Sequence, residues 1–224
     1  MFHVKRDANR LVAGLGDEQL ERLRVYEALL RDRAVPLGLV AAGDVRRLWE
    51  RHVLDALRCL PCLRETDRDL ADLGSGAGLP GIPVAIARPT TRVTLIESLQ
   101  RRAAFLELAV EELGLRNAVV VIARLGKSPP AALIGAFDAC LARALADPGR
   151  SWRLALPLLR EGGRLLYFAG EHAWPHPPGA GEDLSAVRGE SPDWGDVVPE
   201  MEICEGSRFQ GQSAVVIMHR ADGF

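Results

Sequence analysis

The residues best suited to chemistry are a glycine-rich turn and two carboxylates beside it. Asp72-Leu73-Gly74-Ser75-Gly76-Ala77-Gly78 closes a short apolar stretch that begins at Asp69. A strand ending in Gly-x-Gly-x-Gly turns tightly and lets backbone approach a ligand with no Cβ in the way. The helix start beyond such a turn offers free N–H groups, which suit an anion. That anion is a pyrophosphate in a dinucleotide enzyme, or the methionine carboxylate in an enzyme that uses S-adenosylmethionine (SAM). Gly76-Ala77-Gly78-Leu79-Pro80-Gly81 also matches the GxGxxG of NAD enzymes, a weak pattern when it stands alone. Two features favour SAM. Asp72 lies two residues before Gly74, where a carboxylate reaches the amino-acid end of SAM through water, and Glu97 ends the next apolar stretch, where it can accept both ribose hydroxyls. An acid at Glu97 serves NAD as well. A purely structural turn, with Glu97 a solvated strand-end acid, is the remaining reading.

The elements that must position these groups follow from periodicity. A first helix runs from Asp17 as N-cap through Leu20, Leu23, Tyr26 and Leu30, closed by Pro36 and Gly38. A second starts at a cap, Asp44, and shows an apolar face at Val45, Leu48, Trp49, Val53, Ala56, Leu57 and Leu60 before Pro61 interrupts it. Residues 1–64 are therefore a helical N-terminal cap, and residues 65–224 a cofactor-binding domain, the two forming one structural unit. Strands are expected at Asp69–Leu73, Arg92–Glu97, Ala118–Ala123, Phe137–Ala142 and Gly163–Phe168. Helices fall between them: one around Pro83–Ala87, one from the cap Ser98 through Leu113, and one containing Leu154–Leu159. That alternation implies a mostly parallel, Rossmann-like α/β sheet. Residues 171–198, rich in Pro, Gly and acid, read as an exposed loop, and Met201–Cys204 with Ser213–Met218 as a closing antiparallel pair.

The other candidates are weaker. His52 and Asp55 lie three apart on one helical face; a catalytic pair competes with a polar link between cap and core, and the link is preferred. His172 and His176 flank Pro175 and have no matching ligand set, so no metal is expected. Cys59-Leu60-Pro61-Cys62 stands alone where a structural zinc site wants four ligands, four cysteines make no disulfide framework, and Cys140 sits in an apolar strand. Arg101 and Arg102 open a helix near the cofactor face, as phosphate contacts or as solvated charge. With 224 residues, 48% hydrophobic and 26% charged, the composition is that of a globular protein. The net charge of −2 requires any nucleic-acid role to use a local patch. No run has the length of a membrane span, and the start MFHVKRDANR lacks an apolar signal core; a cytoplasmic protein is expected, without membrane partners and as a monomer.

Read with its flanks, the turn resembles one family. Arg51-His52-Val53-Leu54-Asp55, then Asp72 through Gly78 continued by Leu79-Pro80-Gly81-Ile82-Pro83, resemble the RsmG (GidB) type of 16S rRNA guanine-N7 methyltransferase. Leu95-Ile96-Glu97-Ser98 with Arg101, Arg102, Phe105 and Leu106 is similar to the family's second SAM segment, and Ala142-Arg143-Ala144 to its Arg-Ala motif. The resemblance implies a class I SAM-dependent methyltransferase fold with an N-terminal helical extension. It implies transfer of a methyl group to N7 of guanine 527 in 16S rRNA, within the small ribosomal subunit. By position, it assigns Gly74, Gly76 and Leu79 to SAM in the turn, Glu97 to the ribose, Leu125 and Gly126 to backbone contacts with the adenine, and Arg143 to the mouth of the site. No catalytic base is implied, because N7 already carries a free lone pair; Arg143 positions substrate. Three departures fall on or near the substrate side or cofactor rim: Leu125-Gly126 replaces an apolar–acid pair, Ala169-Gly170 replaces Lys-Gly, and the basic C-terminal end is diluted to Arg208, His219 and Arg220. They keep a second function open, a family member recruited to methylate a small molecule, and a third, a non-enzymatic SAM- or nucleotide-binding module.

Overall fold

The computed structural model describes residues 11–126, 128–169, 193–204, 207 and 215–220. Seven strands form one sheet in the order β3-β2-β1-β4-β5-β7-β6. Strands β1 (Asp69–Leu73), β2 (Arg92–Glu97), β3 (Ala118–Ile122), β4 (Phe137–Arg143) and β5 (Leu159–Phe168) are parallel. Strand β7 (Val215–Arg220) pairs antiparallel with β5 and with β6 (Pro199–Ile203), the closing pair anticipated from the sequence. Alternate residues of the central strands feed opposite cores, as a period of two demands. Leu70, Leu95, Leu141 and Leu166 face one layer; Ala71, Ile96, Cys140 and Leu165 face the other. The first layer holds α1 (Asp17–Leu29), α2 (Gly81–Ala87), α3 (Gln100–Glu112) and the turns between α1 and β1. The second is built on Trp152 and Ala155 of α4 (Pro148–Ala155), with Trp194 beside them.

The N-terminal helices differ from the expectation. Gly16, not Asp17, is the N-cap of α1, and its N–H donates to Gln19 Oε1 at 2.9 Å. The second helix is not one helix but three short pieces, a 3₁₀ turn Ala42–Arg47, a π-helical turn Trp49–Leu54 and a 3₁₀ turn Leu57–Cys62. All residues from Val53 to Cys59 are buried, including Asp55 and Arg58. A segment packed on every side has no solvent face to enforce a 3.6-residue repeat. Asp44 lies inside the first of these turns and caps nothing; its carboxylate is taken by His52. Ser98 does not cap α3 either, because Glu97 Oε1 accepts the N–H groups of Ser98 (2.7 Å) and Leu99 (2.9 Å). Helix α4 ends at Ala155 and Leu159 already belongs to β5. The signal for its true start was Asp147-Pro148, a cap followed by proline in the first turn.

Cysteine usage needs one correction. Cys62 and Cys204 form a disulfide with Cα atoms 5.6 Å apart, joining the last N-terminal turn to the residue after β6. The partners are 142 positions apart in sequence, so spacing could not show the pair. Cys59 and Cys140 are free and buried, and burial raises both thiols, Cys59 to about 12. Beneath the sheet, Arg164 donates to Asp67 at 2.6 and 3.1 Å, and both side chains are buried. Among the described residues no helix is long and apolar enough to cross a membrane. None of their His, Cys, Asp and Glu side chains gather into a group of three or more able to hold a metal ion. His172 and His176 lie outside the described residues.

Candidate active site

The glycine turn leaves β1 at the carboxyl edge of the sheet, the edge where open α/β sheets bind ligands. Gly74, Gly76 and Gly78 all have positive φ. At Gly78 (φ +89°) a side chain would be strained and would also meet Ile82 Cδ1 at 2.4 Å. Gly81 is needed for a different reason: an added Cβ would lie 2.3 Å from Leu95 Cδ2 and 2.9 Å from Asp72 Cβ. That close approach brings the Gly81 N–H, at the start of α2, within 2.9 Å of Asp72 Oδ2. The same oxygen accepts the Ser75 hydroxyl at 2.6 Å. Asp72 therefore ties both ends of the turn together from inside. Its burial is nearly complete, and desolvation raises its pKa to about 6 against the opposing hydrogen bonds from Ser75 and Gly81.

Glu97 stands at the end of β2, beside the turn. Oε2 accepts the Gly76 N–H at 3.1 Å and lies 3.8 Å from Arg102 Nη1, while Oε1 holds the first residues leading into α3. The solvated reading of this acid is excluded, since Glu97 is 3% exposed. Its backbone C=O accepts the Ala123 N–H at 3.0 Å, which draws the segment after β3 to the same place. Two residues on, Leu125 is half-buried against the α4 layer, and exposed Gly126 has open space where a Cβ would stand. Leu79 is half-buried against the layer that holds the N-terminal helices. Gly74, Gly76, Leu79, Glu97, Leu125 and Gly126 thus line the ends of three adjacent strands.

Arg143 arrives from β4. Asp72 pairs with Leu141, so Arg143 leaves the sheet two residues later, beside the turn. Its guanidinium is engaged by the N-terminal segment: Nη2 with His52 Nδ1 (2.9 Å), Nε with Asp55 Oδ2 (3.3 Å), and longer contacts to the carbonyls of Arg51 and His52 (3.4 Å each). The preferred reading of His52 and Asp55, a polar link between cap and core, is what the contacts describe. Ala144, next in sequence, has φ +51°, a left-handed conformation that costs a non-glycine residue about 1 kcal/mol.

Sequence reasoning missed several supports. Tyr26, counted only as part of an apolar face, donates its buried hydroxyl to Ala77 O in the turn at 2.7 Å. Gln19 donates to the carbonyls of Ile86 and Ala87 at the end of α2. Arg101 does not project freely but donates to Leu37 O. An aromatic hydroxyl on an otherwise apolar helix face was the only available signal, and it named no partner.

The architecture and the turn match known proteins. A family model described as rRNA small subunit methyltransferase G (GidB) matches residues 19–176. The "Ribosomal RNA small subunit methyltransferase G" of Mycolicibacterium smegmatis is 42% identical over 167 residues, covering 75% of this chain and 69% of the relative. That of Mycolicibacterium gilvum is 36% identical over 198 residues, covering 87% and 82%. Among solved structures, a TehB-like SAM-dependent methyltransferase from Corynebacterium glutamicum aligns with TM-score 0.52 at 14% identity, covering 80% of this chain and 96% of that one. TYW2 of M. jannaschii in complex with AdoMet aligns with TM-score 0.52 at 15% identity, covering 80% and 81%. At these identities the two structures share the fold alone.

Proposed function

The chain belongs to the rRNA small subunit methyltransferase G (GidB) family and is a SAM-dependent methyltransferase; from that premise we propose that it methylates N7 of guanine 527 in 16S rRNA. The observation that carries this reading is the turn from Asp72 to Pro83, held on a buried carboxylate with a second carboxylate, Glu97, at its flank. The donor set fits the cofactor. Backbone at Gly74, Gly76 and Leu79 suits the amino-acid end, Glu97 suits the ribose hydroxyls, and backbone at Leu125 and Gly126 suits the adenine rim. Oε1 of Glu97 already accepts two backbone N–H groups, whereas Oε2 accepts one and has a second lone pair to offer. When bound, SAM supplies an electrophilic methyl on a sulfonium.

Guanine N7 carries a lone pair outside base pairing, so no residue of this chain has to remove a proton. The contribution left to the protein is orientation, which supplies a large share of a rate enhancement. Arginine suits guanine O6 or a phosphate, and Arg143 fills that role at the mouth of the site. In this reading residues 1–64 cap the domain formed by residues 65–224 as one unit, supported by Tyr26, Gln19 and Arg143, and the protein acts as a cytoplasmic monomer on the small ribosomal subunit.

The test is to map 7-methylguanosine in 16S rRNA with and without the gene. The expected result is loss of one modification at guanine 527 in the deletion strain; an intact modification overturns the proposal. A second reading, a small-molecule acceptor, draws on Ala169, which is buried in the core where the family pattern has a lysine. It predicts SAM binding without salt-dependent affinity for small-subunit RNA.

A further inference from the structure

The N-terminal segment and the sheet meet in a line of ionisable groups. Asp44 Oδ2 lies 3.0 Å from His52 Nε2, and His52 Nδ1 lies 2.9 Å from Arg143 Nη2. Arg143 Nε lies 3.3 Å from Asp55 Oδ2, and Asp55 Oδ1 lies 2.9 Å from Arg58 Nε. A guanidinium has donors and no acceptor. His52 Nδ1 must therefore be the acceptor, and the ring proton must sit on Nε2 and point at Asp44. The neutral Nε2–H tautomer is the one state that satisfies both contacts. A second proton, on Nδ1, would set two donors of two cations face to face at 2.9 Å.

We propose that His52 is the positioning residue of Arg143: oriented by Asp44, the neutral imidazole fixes the guanidinium beside the glycine turn, and protonation of His52 releases it and slows methyl transfer. This rests on the reading above that Arg143 orients the methyl acceptor. The groups facing His52 come from every neighbouring element. Asp44 belongs to the first 3₁₀ turn and also lies within 3.7 Å of Arg47 and 3.4 Å of Arg51. Asp55 follows the π-helical turn and Arg143 ends β4, while Arg58, in the next 3₁₀ turn, meets Asp55. Burial and the Arg143 charge hold the imidazole below its ordinary pKa, against the opposing pull of Asp44 and Asp55. The neutral tautomer is thus the state at neutral pH, and the transition falls on the acid side.

Two measurements on the full chain test the proposal. The first is a long-range nitrogen–proton correlation spectrum of the labelled protein, which distinguishes the two imidazole nitrogens. Nε2 protonated and Nδ1 bare at neutral pH is expected; the Nδ1–H tautomer or the imidazolium overturns the proposal. This readout holds whether or not rRNA is the acceptor, so its failure and the failure of the rRNA reading are distinguishable. The second is the pH profile of methyl transfer from SAM to small subunits purified from a strain lacking the modification. His52→Gln keeps a donor towards Asp44 but has no titrating ring, and its one acceptor sits on a rotatable amide instead of being fixed at the Nδ1 position that meets Arg143. Its kcat is expected to fall between about 10- and 100-fold, its KM for SAM to change little, and its acid limb to vanish. Asp44→Asn still accepts from Nε2–H but no longer stabilises the imidazolium, so its acid limb moves to lower pH by about one unit. An acid limb that persists in His52→Gln would assign the titration elsewhere, with Asp72 first in line, and would overturn the proposal. So would a limb that Asp44→Asn leaves in place or moves upward.

Discussion

The two ends of the sheet handle acidic residues in opposite ways. At the carboxyl end, Asp72 and Glu97 are buried and are met chiefly by backbone N–H groups, with Ser75 the added partner of Asp72. At the amino end arginines join in: Arg92 at 2.6 Å and Arg160 at 2.8 Å meet Asp69, and Asp138 takes Arg160 at 2.7 Å together with the backbone N–H groups of Arg68 and Asp69. The consequence shows in protonation. Hydrogen bonding from Arg92 holds the Asp69 carboxyl below its usual range, whereas burial lifts Asp72 to about 6. Neutralised acids hold strands in register. Acids left with backbone dipoles keep charge and lone pairs in reserve, which is what a site for a cationic sulfonium cofactor needs.

This contrast can be broken at either end. The largest stability loss is expected below the sheet, where Asp67→Ala strands the buried Arg164 guanidinium. Breaking such a pair costs about 3–5 kcal/mol, read as a lower urea midpoint, with SAM affinity of the folded fraction unchanged. Asp72→Asn should act in the reverse direction. The folded pKa of Asp72 is raised, so its carboxyl contributes stability below about pH 4 that is lost as pH rises through about 6. The wild type therefore loses up to about 3 kcal/mol across that window through this group. The asparagine variant lacks that loss and should be the more stable protein at pH 8, with weaker SAM binding. Equal pH dependence of the two melting curves would contradict the assignment. Glu97→Gln should lower SAM affinity by about 2 kcal/mol in titration calorimetry, with a smaller change in melting temperature. At the small end, Arg92→Ala removes an exposed partner of Asp69; its melting curve and its methyl transfer should both match the wild type closely.

The N-terminal segment marks where sequence reading reached its limit. Strand ends at Leu73, Glu97 and Phe168 and the breaks at Gly38 and Gly114 were legible because they rest on local rules of alternation and backbone conformation. The three turns from Ala42 to Cys62 were not, since Asp55 and Arg58 are buried among partners supplied by β4 and β5. A periodic pattern records one apolar face set against a solvent face, and from Val53 to Cys59 every residue is buried.

The amino-acid sequence by itself determined the strand–helix alternation, the glycine turn with its Leu79-Pro80-Gly81-Ile82-Pro83 continuation, and the acid at the end of β2. Each is a property of neighbours in the chain, where side-chain size and backbone freedom act within a few residues. The tertiary structure alone decided that Tyr26 holds Ala77, that Asp44 orients His52 and not a helix end, that Arg143 is gripped from the N-terminal side, and that Cys62 meets Cys204. Those pairings join residues far apart in sequence, and only the packing of helices on the sheet brings their polar groups within hydrogen-bonding or covalent reach.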